Sequence, residues 1–280
     1  MDWLQALFAG LIQGITEFLP VSSSGHLVIF NTLFGDGDGS NLAFTVLLHL
    51  ATLLSIILVF YKDIWMLIRE FFSALADILR GKPNFRTPER RFLLLVIIGT
   101  IPAVVIGVSI KLLHINDILE NIFVVAVMLI VTSALMFCVD RIGAKKYTEA
   151  DAPYRSALAV GILQSIAILP GLSRSGSTIF GGLLGGLTKE FTVRFAFILS
   201  IPAVVGAGLV ELLSVVKAGE IAIVPLNWGI GFIAASVSGV LAIRFIKLLI
   251  KNNKFYIFGI YCLLASAISF LAGFGVIGVN

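Results

Sequence analysis

The sequence predicts an all-α integral membrane protein with six transmembrane helices and two re-entrant helix–loop–helix hairpins, arranged as an inverted-topology repeat. Composition is the first observation behind this fold class. Of the 280 residues, 59% are hydrophobic and 13% charged, with a mean hydropathy of +1.06. A soluble domain carries roughly 25% charged residues, so lipid must form part of this chain's solvent. The second observation is six apolar segments long enough to cross a bilayer at about 20 residues each. The third is a pair of apolar segments, each broken at a proline by a run of serines and glycines.

The first broken segment covers residues 3–34 and breaks at Pro20-Val21-Ser22-Ser23-Ser24-Gly25. Proline removes a backbone donor and clashes with the preceding turn, while Gly and Ser favour turns and caps. Irregular backbone at membrane depth is tolerated only inside protein or against water, so the segment reads as a hairpin that leaves on the side it entered. Spans follow at 43–61, 92–112 and 119–140. Between the first two, residues 63–80 carry Trp65, Arg69 and Arg80 among apolar positions and read as a helix lying on the membrane surface. The second broken segment, 154–187, breaks at Pro170-Gly171-Leu172-Ser173-Arg174-Ser175-Gly176-Ser177, and spans follow at 192–215, 226–250 and 256–277.

Charge gives the orientation. With two hairpins and six spans, Lys111 and Lys217 fall on one face and Arg174 in the second break, and all the remaining Lys and Arg residues fall on the other face. The positive-inside rule makes that basic face cytoplasmic. Both termini are then expected outside, with cytoplasmic loops at 62–91 and 141–153. Reading either hairpin as a full span scrambles this bias. The N-terminus Met1-Asp2-Trp3 has no basic region of the signal-peptide kind, so targeting is expected from the spans. The net charge of +4 gives no case for nucleic acid. Cys138 and Cys262 show no metal spacing and read as apolar filler.

The breaks echo one another. Ser-x-Ser-Gly occurs at 22–25 and at 173–176, and Gln13 and Gln164 hold matching places upstream. Three spans separate the breaks, so the hairpins enter from opposite faces and the halves, 1–140 and 154–280 within a single membrane domain, are inverted copies. Broken helices that meet at the midplane are a transporter-like architecture.

Ionisable groups within lipid are expensive and each needs a reason. Gln13 and Glu17 stack at i, i+4 on one helix face, His26 opens the next helix, and Arg174 lies in the second break. A polar seam between helices accounts for hydroxyls, but poorly for a Glu, a His and an Arg in repeated breaks. A phosphate site accounts for all of them. Helix starts near Gly25 and Gly176 point amides and a positive dipole at one place, and Arg174 adds a planar fork for phosphate oxygens. Ser173, Ser175 and Thr178 add neutral donors, and Glu17 and His26 supply proton transfer. An anion transporter would use many of these parts.

Other candidates are weaker. His49 reads as either a core histidine or a group supporting the site. Asp36-Gly37-Asp38-Gly39-Ser40 fails the calcium-loop pattern at Asn41 and Leu47 and reads as a solvated turn. Glu190 and Arg194 read as a structural i, i+4 pair.

These residues resemble a known family. Gln13-Gly-Ile-Thr-Glu17 with Pro20 to His26 is similar to the (Glu/Gln)-x-x-x-Glu region of bacterial undecaprenyl-diphosphate phosphatases of the bacitracin-resistance type. Pro170-Gly171-Leu172-Ser173-Arg174-Ser175-Gly176-Ser177-Thr178 matches that family's PGxSRSxxT motif, and length, span count and motif order agree over the whole chain. The resemblance implies cleavage of undecaprenyl diphosphate to undecaprenyl phosphate and phosphate. That reaction recycles the lipid carrier of cell-wall synthesis and confers bacitracin resistance. It further implies a divalent cation, Mg2+ or Ca2+, and a site open to the outer face of the cytoplasmic membrane. Glu17, Ser23, His26 and Arg174 are then catalytic, with Glu17 also a metal ligand shared with the diphosphate. Gln13, Ser22, Ser24, Gly25, Ser173, Ser175, Gly176 and Thr178 line the substrate. The expected nucleophile is Ser23 activated by His26, ahead of His26 itself and water. The expected partners are the polyisoprenyl diphosphate and membrane lipid, and a homodimer is compatible with the reading. A transporter or flippase for an anionic lipid is the rival class, and a structural membrane scaffold the third.

Overall fold

The computed structural model describes residues 3–34, 42–82, 84–85, 87–113, 121–143, 146–217, 226–252 and 254–277. The predicted turn at Asp36 to Ser40 lies outside them. Ten α-helices are described: α1 Trp3–Phe18, α2 Ser23–Phe34, α3 Leu42–Leu79, α4 Pro88–Leu113, α5 Ile122–Val139, α6 Tyr154–Ile166, α7 Arg174–Leu184, α8 Lys189–Lys217, α9 Leu226–Leu249 and α10 Tyr256–Gly273. A 3-10 turn, Ile250–Asn252, extends α9. Six of the helices, α3, α4, α5, α8, α9 and α10, are long and apolar enough to cross a membrane, which makes the chain a multi-pass membrane protein. They coincide with the six predicted spans.

Both broken segments are helix–turn–helix. Helices α1, α2, α6 and α7 have 16, 12, 13 and 11 residues. At 1.5 Å per residue they reach roughly 16–24 Å, short of the ~30 Å hydrocarbon core. No one of the four can cross alone.

The expected surface helix 63–80 is continuous with the first span. A single non-helical residue, Phe60 (φ −114°, ψ 24°), bends α3 without ending it, and the Lys247 ammonium sits 3.9 Å from the centre of the Phe60 ring. Beyond the bend Tyr61, Trp65, Ile68, Phe72, Leu75 and Leu79 form an exposed apolar row at helical spacing. On the other side Arg90 holds Glu70 (3.2 Å), Ser73 (2.9 Å) and Asp77 (2.6 Å). Arg194 bridges Asp63 (2.7 Å) and Glu149 (2.9 Å). Arg194 is therefore committed to two carboxylates on other elements, and the expected local pair with Glu190 is not what holds it.

Lipid is as apolar as the protein interior, so helices gain little from hydrophobicity and associate through close approach. The chain does this with small residues at two crossings. Where α1 meets α9, a Cβ on Gly10 would lie 2.3 Å from the Gly231 carbonyl, and one on Gly14 the same distance from that of Ala235. Where α6 meets α4, a Cβ on Gly161 would lie 2.2 Å from the Gly99 carbonyl. Thus the first helix of each broken segment crosses a span of the other half in backbone contact.

A third close approach fixes the second break. Gly171 has φ +91°, and a Cβ there would fall 2.4 Å from the Val125 carbonyl on α5. Thr132, also on α5, donates to the Gly171 carbonyl (2.8 Å) and accepts the Ser173 amide (3.0 Å).

Two predictions follow from these contacts. Gly161→Leu should force α4 and α6 apart at a cost of about 1–3 kcal/mol, read as a lower thermal midpoint in detergent. Thr132→Val keeps shape but strands a buried carbonyl and a buried amide. The expected loss is about 1–3 kcal/mol, again by thermal melt.

Candidate functional site

The Ser-x-Ser-Gly echo is a capping motif used twice. In α2, the Ser22 hydroxyl accepts the Gly25 amide (3.2 Å) and the Ser22 carbonyl accepts the His26 amide (3.2 Å). In α7, the Ser173 hydroxyl accepts the Gly176 amide (3.2 Å) and its carbonyl accepts the Ser177 amide (2.8 Å). A serine at the N-cap satisfies donors that a helix start leaves orphaned, and glycine three residues on allows close approach. The caps differ in backbone. Ser173 is extended (φ −66°), whereas Ser22 is the only non-glycine described with positive φ (+70°).

The two breaks touch. Ser22 Oγ also accepts the amide of Gly171 (3.1 Å), and Ser175 Oγ donates to the Leu19 carbonyl (3.0 Å). A Cβ on Gly25 would meet Gly171 Cα at 3.1 Å, and one on Gly176 would meet Pro20 at 3.2 Å. Thr178 donates back to the carbonyls of Arg174 (2.9 Å) and Ser175 (3.1 Å). Ser22, Ser173, Ser175 and Thr178, expected to donate to an anion, are buried and hold the two loops together. Their oxygens face backbone because buried amides and carbonyls must be paired. Ser24 is exposed, with its hydroxyl 3.3 Å from that of Ser22.

Three groups converge on the buried Glu17. Gln13 Nε2 donates to Oε2 (3.0 Å), as does Ser23 Oγ (2.7 Å), and Arg174 Nη2 pairs with Oε1. Glu17 is the penultimate residue of α1, Ser23 is the first residue of α2, and Arg174 is the first residue of α7. The carboxylate thus closes a ring between the breaks. The Arg174 side chain remains 23% exposed beside a carboxylate that is 8% exposed, so the guanidinium is the part of the pair that an incoming anion can reach. Gln13 Oε1 is buried without a hydrogen-bond partner.

His26 lies three residues beyond Ser23, on the same helix face. Its Nδ1 is 2.7 Å from the Ser22 carbonyl and its Nε2 is 2.6 Å from the Tyr261 hydroxyl on α10. The expected Ser23–His26 hydrogen bond is replaced: Ser23 turns to the carboxylate, the stronger acceptor, and the imidazole to a carbonyl and a phenol. His49, on α3, is an electrostatic neighbour of Glu17, which favours the supporting reading of that residue.

Reasoning from sequence missed Tyr261 and Thr132. Thr132-Ser133 is a polar pair in an otherwise apolar span, a weak signal that was available. Tyr261 had none, because a tyrosine in a span is ordinarily an interface anchor.

The family sequence model for Bacitracin resistance protein BacA matches residues 6–268. The undecaprenyl-diphosphatase of Methanosphaera stadtmanae is 40% identical, covering 97% of this chain and 98% of that protein. Those of Alkaliphilus metalliredigens (38% identical; 93% and 95% covered) and Korarchaeum cryptofilum (37%; 94% and 97%) are similar over the same extent. With two specific motifs in place and near-complete coverage by the family, the chain belongs to the bacitracin resistance protein BacA family.

Proposed function

We propose that this protein hydrolyses undecaprenyl diphosphate to undecaprenyl phosphate and inorganic phosphate, recycling the lipid carrier for cell-wall synthesis and conferring bacitracin resistance. The observation that carries the reading is the convergence of Arg174, Ser23 and Gln13 on Glu17 at the meeting of two helix starts. The diphosphate draws Arg174 toward its oxygens, and the fork, the caps' dipoles and nearby amides stabilise the transferring phosphoryl. Glu17 is within reach of the Ser23 proton, so Ser23 is the preferred nucleophile. As Oγ bonds to the terminal phosphorus the proton passes to Glu17, and the anhydride bond breaks toward undecaprenyl phosphate. Water then releases phosphate from the serine and gives its proton to His26, whose Nε2 exchanges its Tyr261 partner for that proton.

The proposed topology keeps both broken segments re-entrant. Four helices too short to cross support it, as does the basic bias that puts both termini outside and the site open to the outer face. The inverted repeat is supported by its phase: Gly10 and Gly161 stand in the same place relative to Gln13 and Gln164, and each meets a glycine carbonyl on a span of the other half. The two halves, 1–140 and 154–280, form one domain. All the groups at Glu17 come from a single chain, so a homodimer would add nothing that the site needs.

The donors present suit a hard divalent cation, Mg2+ or Ca2+. Glu17 supplies a carboxylate and Gln13 a carbonyl oxygen that is buried and unpaired, and such ions share their shell with phosphate and water. When bound, the ion would neutralise charge on the diphosphate.

The repeat with its paired crossings also favours a rival, a transporter or flippase for an anionic lipid. Phosphate release in detergent, where no gradient exists, separates the two. The wild type should release phosphate from C55 diphosphate. Arg174→Ala and His26→Ala should each lose at least about 100-fold in kcat while remaining monodisperse. Wild-type turnover by both would remove the assignment. A chelator should abolish release and added Mg2+ or Ca2+ should restore it. Undiminished turnover in chelator would remove the cation.

A further inference from the structure

Ser22 sits in the left-handed region at φ +70°. Non-glycine residues there are strained and persist only when their surroundings over-determine them. Two amides on the Ser22 hydroxyl do so, and the result is a carbonyl aimed at the His26 ring, 2.7 Å from Nδ1. A carbonyl has no proton to give, so Nδ1 must be the donor. In the neutral imidazole the proton can sit on one nitrogen only, so Nε2 carries the bare lone pair. That lone pair faces the Tyr261 hydroxyl at 2.6 Å, and the phenol, the one partner there with a proton, must donate. The two rings lie parallel within 6°, with centroids 5.6 Å apart. Ring plane, ring position and tautomer are each fixed by a separate contact.

Resting on the proposed phosphatase reading, we infer that Tyr261 is a positioning residue for His26: with the tautomer set by the Ser22 carbonyl, its hydroxyl holds the ring in place by donating to the unprotonated Nε2, the nitrogen that exchanges this bond for a proton during turnover. A base acts only if its lone pair is free of its own proton and within reach of the proton it abstracts. Ser22 fixes one end of the ring from the first break. Tyr261 fixes the other from the last span, so α10 is joined to the chemistry although it contributes no motif. The hydroxyl is the active feature, because a phenylalanine would keep the stacking and lose the hydrogen bond.

The test pairs kinetics with a spectroscopic signature. Tyr261→Phe should lower kcat roughly tenfold or more, within the about 10²–10⁴-fold that a positioned base contributes, and leave KM within about twofold. Tyr256→Phe, the same change on the same helix away from the site, should leave both unchanged. Nitrogen NMR of labelled histidine, assigned by difference with His26→Asn, should show His26 protonated at Nδ1 in the wild type at a pH where the ring is neutral. In Tyr261→Phe the Ser22 carbonyl still holds the proton on Nδ1, and the signal of the unprotonated Nε2 should move downfield as it loses the phenol's hydrogen bond. Either a wild-type His26 protonated at Nε2, or a Tyr261→Phe protein with wild-type kcat, would overturn the assignment. A wild type that releases no phosphate would defeat the functional reading and leave the Nε2 signal to decide Tyr261 by itself: a signal unmoved by Tyr261→Phe would overturn the assignment.

Discussion

The Glu17–Arg174 ion pair is the constraint on which the site depends. The partners are 157 residues apart in sequence, and each sits where its helix breaks. A charge within a bilayer is costly unless it is paired, and removing one partner of a buried pair leaves the other uncompensated at about 3–5 kcal/mol. Neither break is stable alone with its charge exposed to lipid. Bringing the breaks together resolves both problems, and the rest of the local structure follows. Glycines stand at the points of contact because the backbones must nearly touch. The caps satisfy amides that the meeting of the breaks removes from water.

This division of labour changes what the motif serines do. A Ser-rich loop beside an arginine reads naturally as a cradle of donors. Here Ser22, Ser173 and Ser175 are turned inward, and their hydroxyls bond amides, a carbonyl and one another. The loop is rigid because its side chains are occupied. Rigidity is what a phosphoryl site requires, since preorganised dipoles need not reorganise as charge develops. On the proposed reading, what remains for the substrate is a short set: the outer part of Arg174, Ser23 on its carboxylate, and His26.

Much of this was legible in the sequence, for physical reasons. The six spans were legible because hydropathy over about 20 residues has few alternatives. The breaks were legible because Pro and Gly act locally. That Glu17 and Arg174 serve one site was legible because ionisable groups within lipid each need a reason; that they pair with each other was not. Features set by packing rather than by local chemistry were not. Phe60 carries no helix-breaking signal, so the kink that joins the first span to the expected helix 63–80 within α3 could not be read. The partners of Arg194 lie on other elements, and helical spacing pointed to Glu190 instead. Ser23 was expected to be activated by His26 and is bonded to Glu17 instead. The choice of Glu17 over His26 depends on a strained Ser22 turning the imidazole elsewhere, and on a tyrosine from the far end of the chain.

The phase of the repeat explains why one site exists where the fold offers two helix starts. Aligning Gln13 with Gln164 places Ser22 on Ser173, Gly25 on Gly176 and Ser23 on Arg174. The caps are shared, and so is the position that follows each cap. Both first residues reach the same carboxylate, Ser23 from one side and Arg174 from the other. Glu17 aligns with Ile168 and His26 with Ser177, so the second half keeps the framework and lacks the proton-transfer groups. Shared geometry thus brings two helix starts to one point, where the dipoles of both favour an anion. On the proposed mechanism the unequal residues then divide the work, with one start giving the guanidinium that holds phosphate and the other the hydroxyl that attacks it. A pair of identical starts would give two arginines facing each other, or two serines with nothing to bind the substrate.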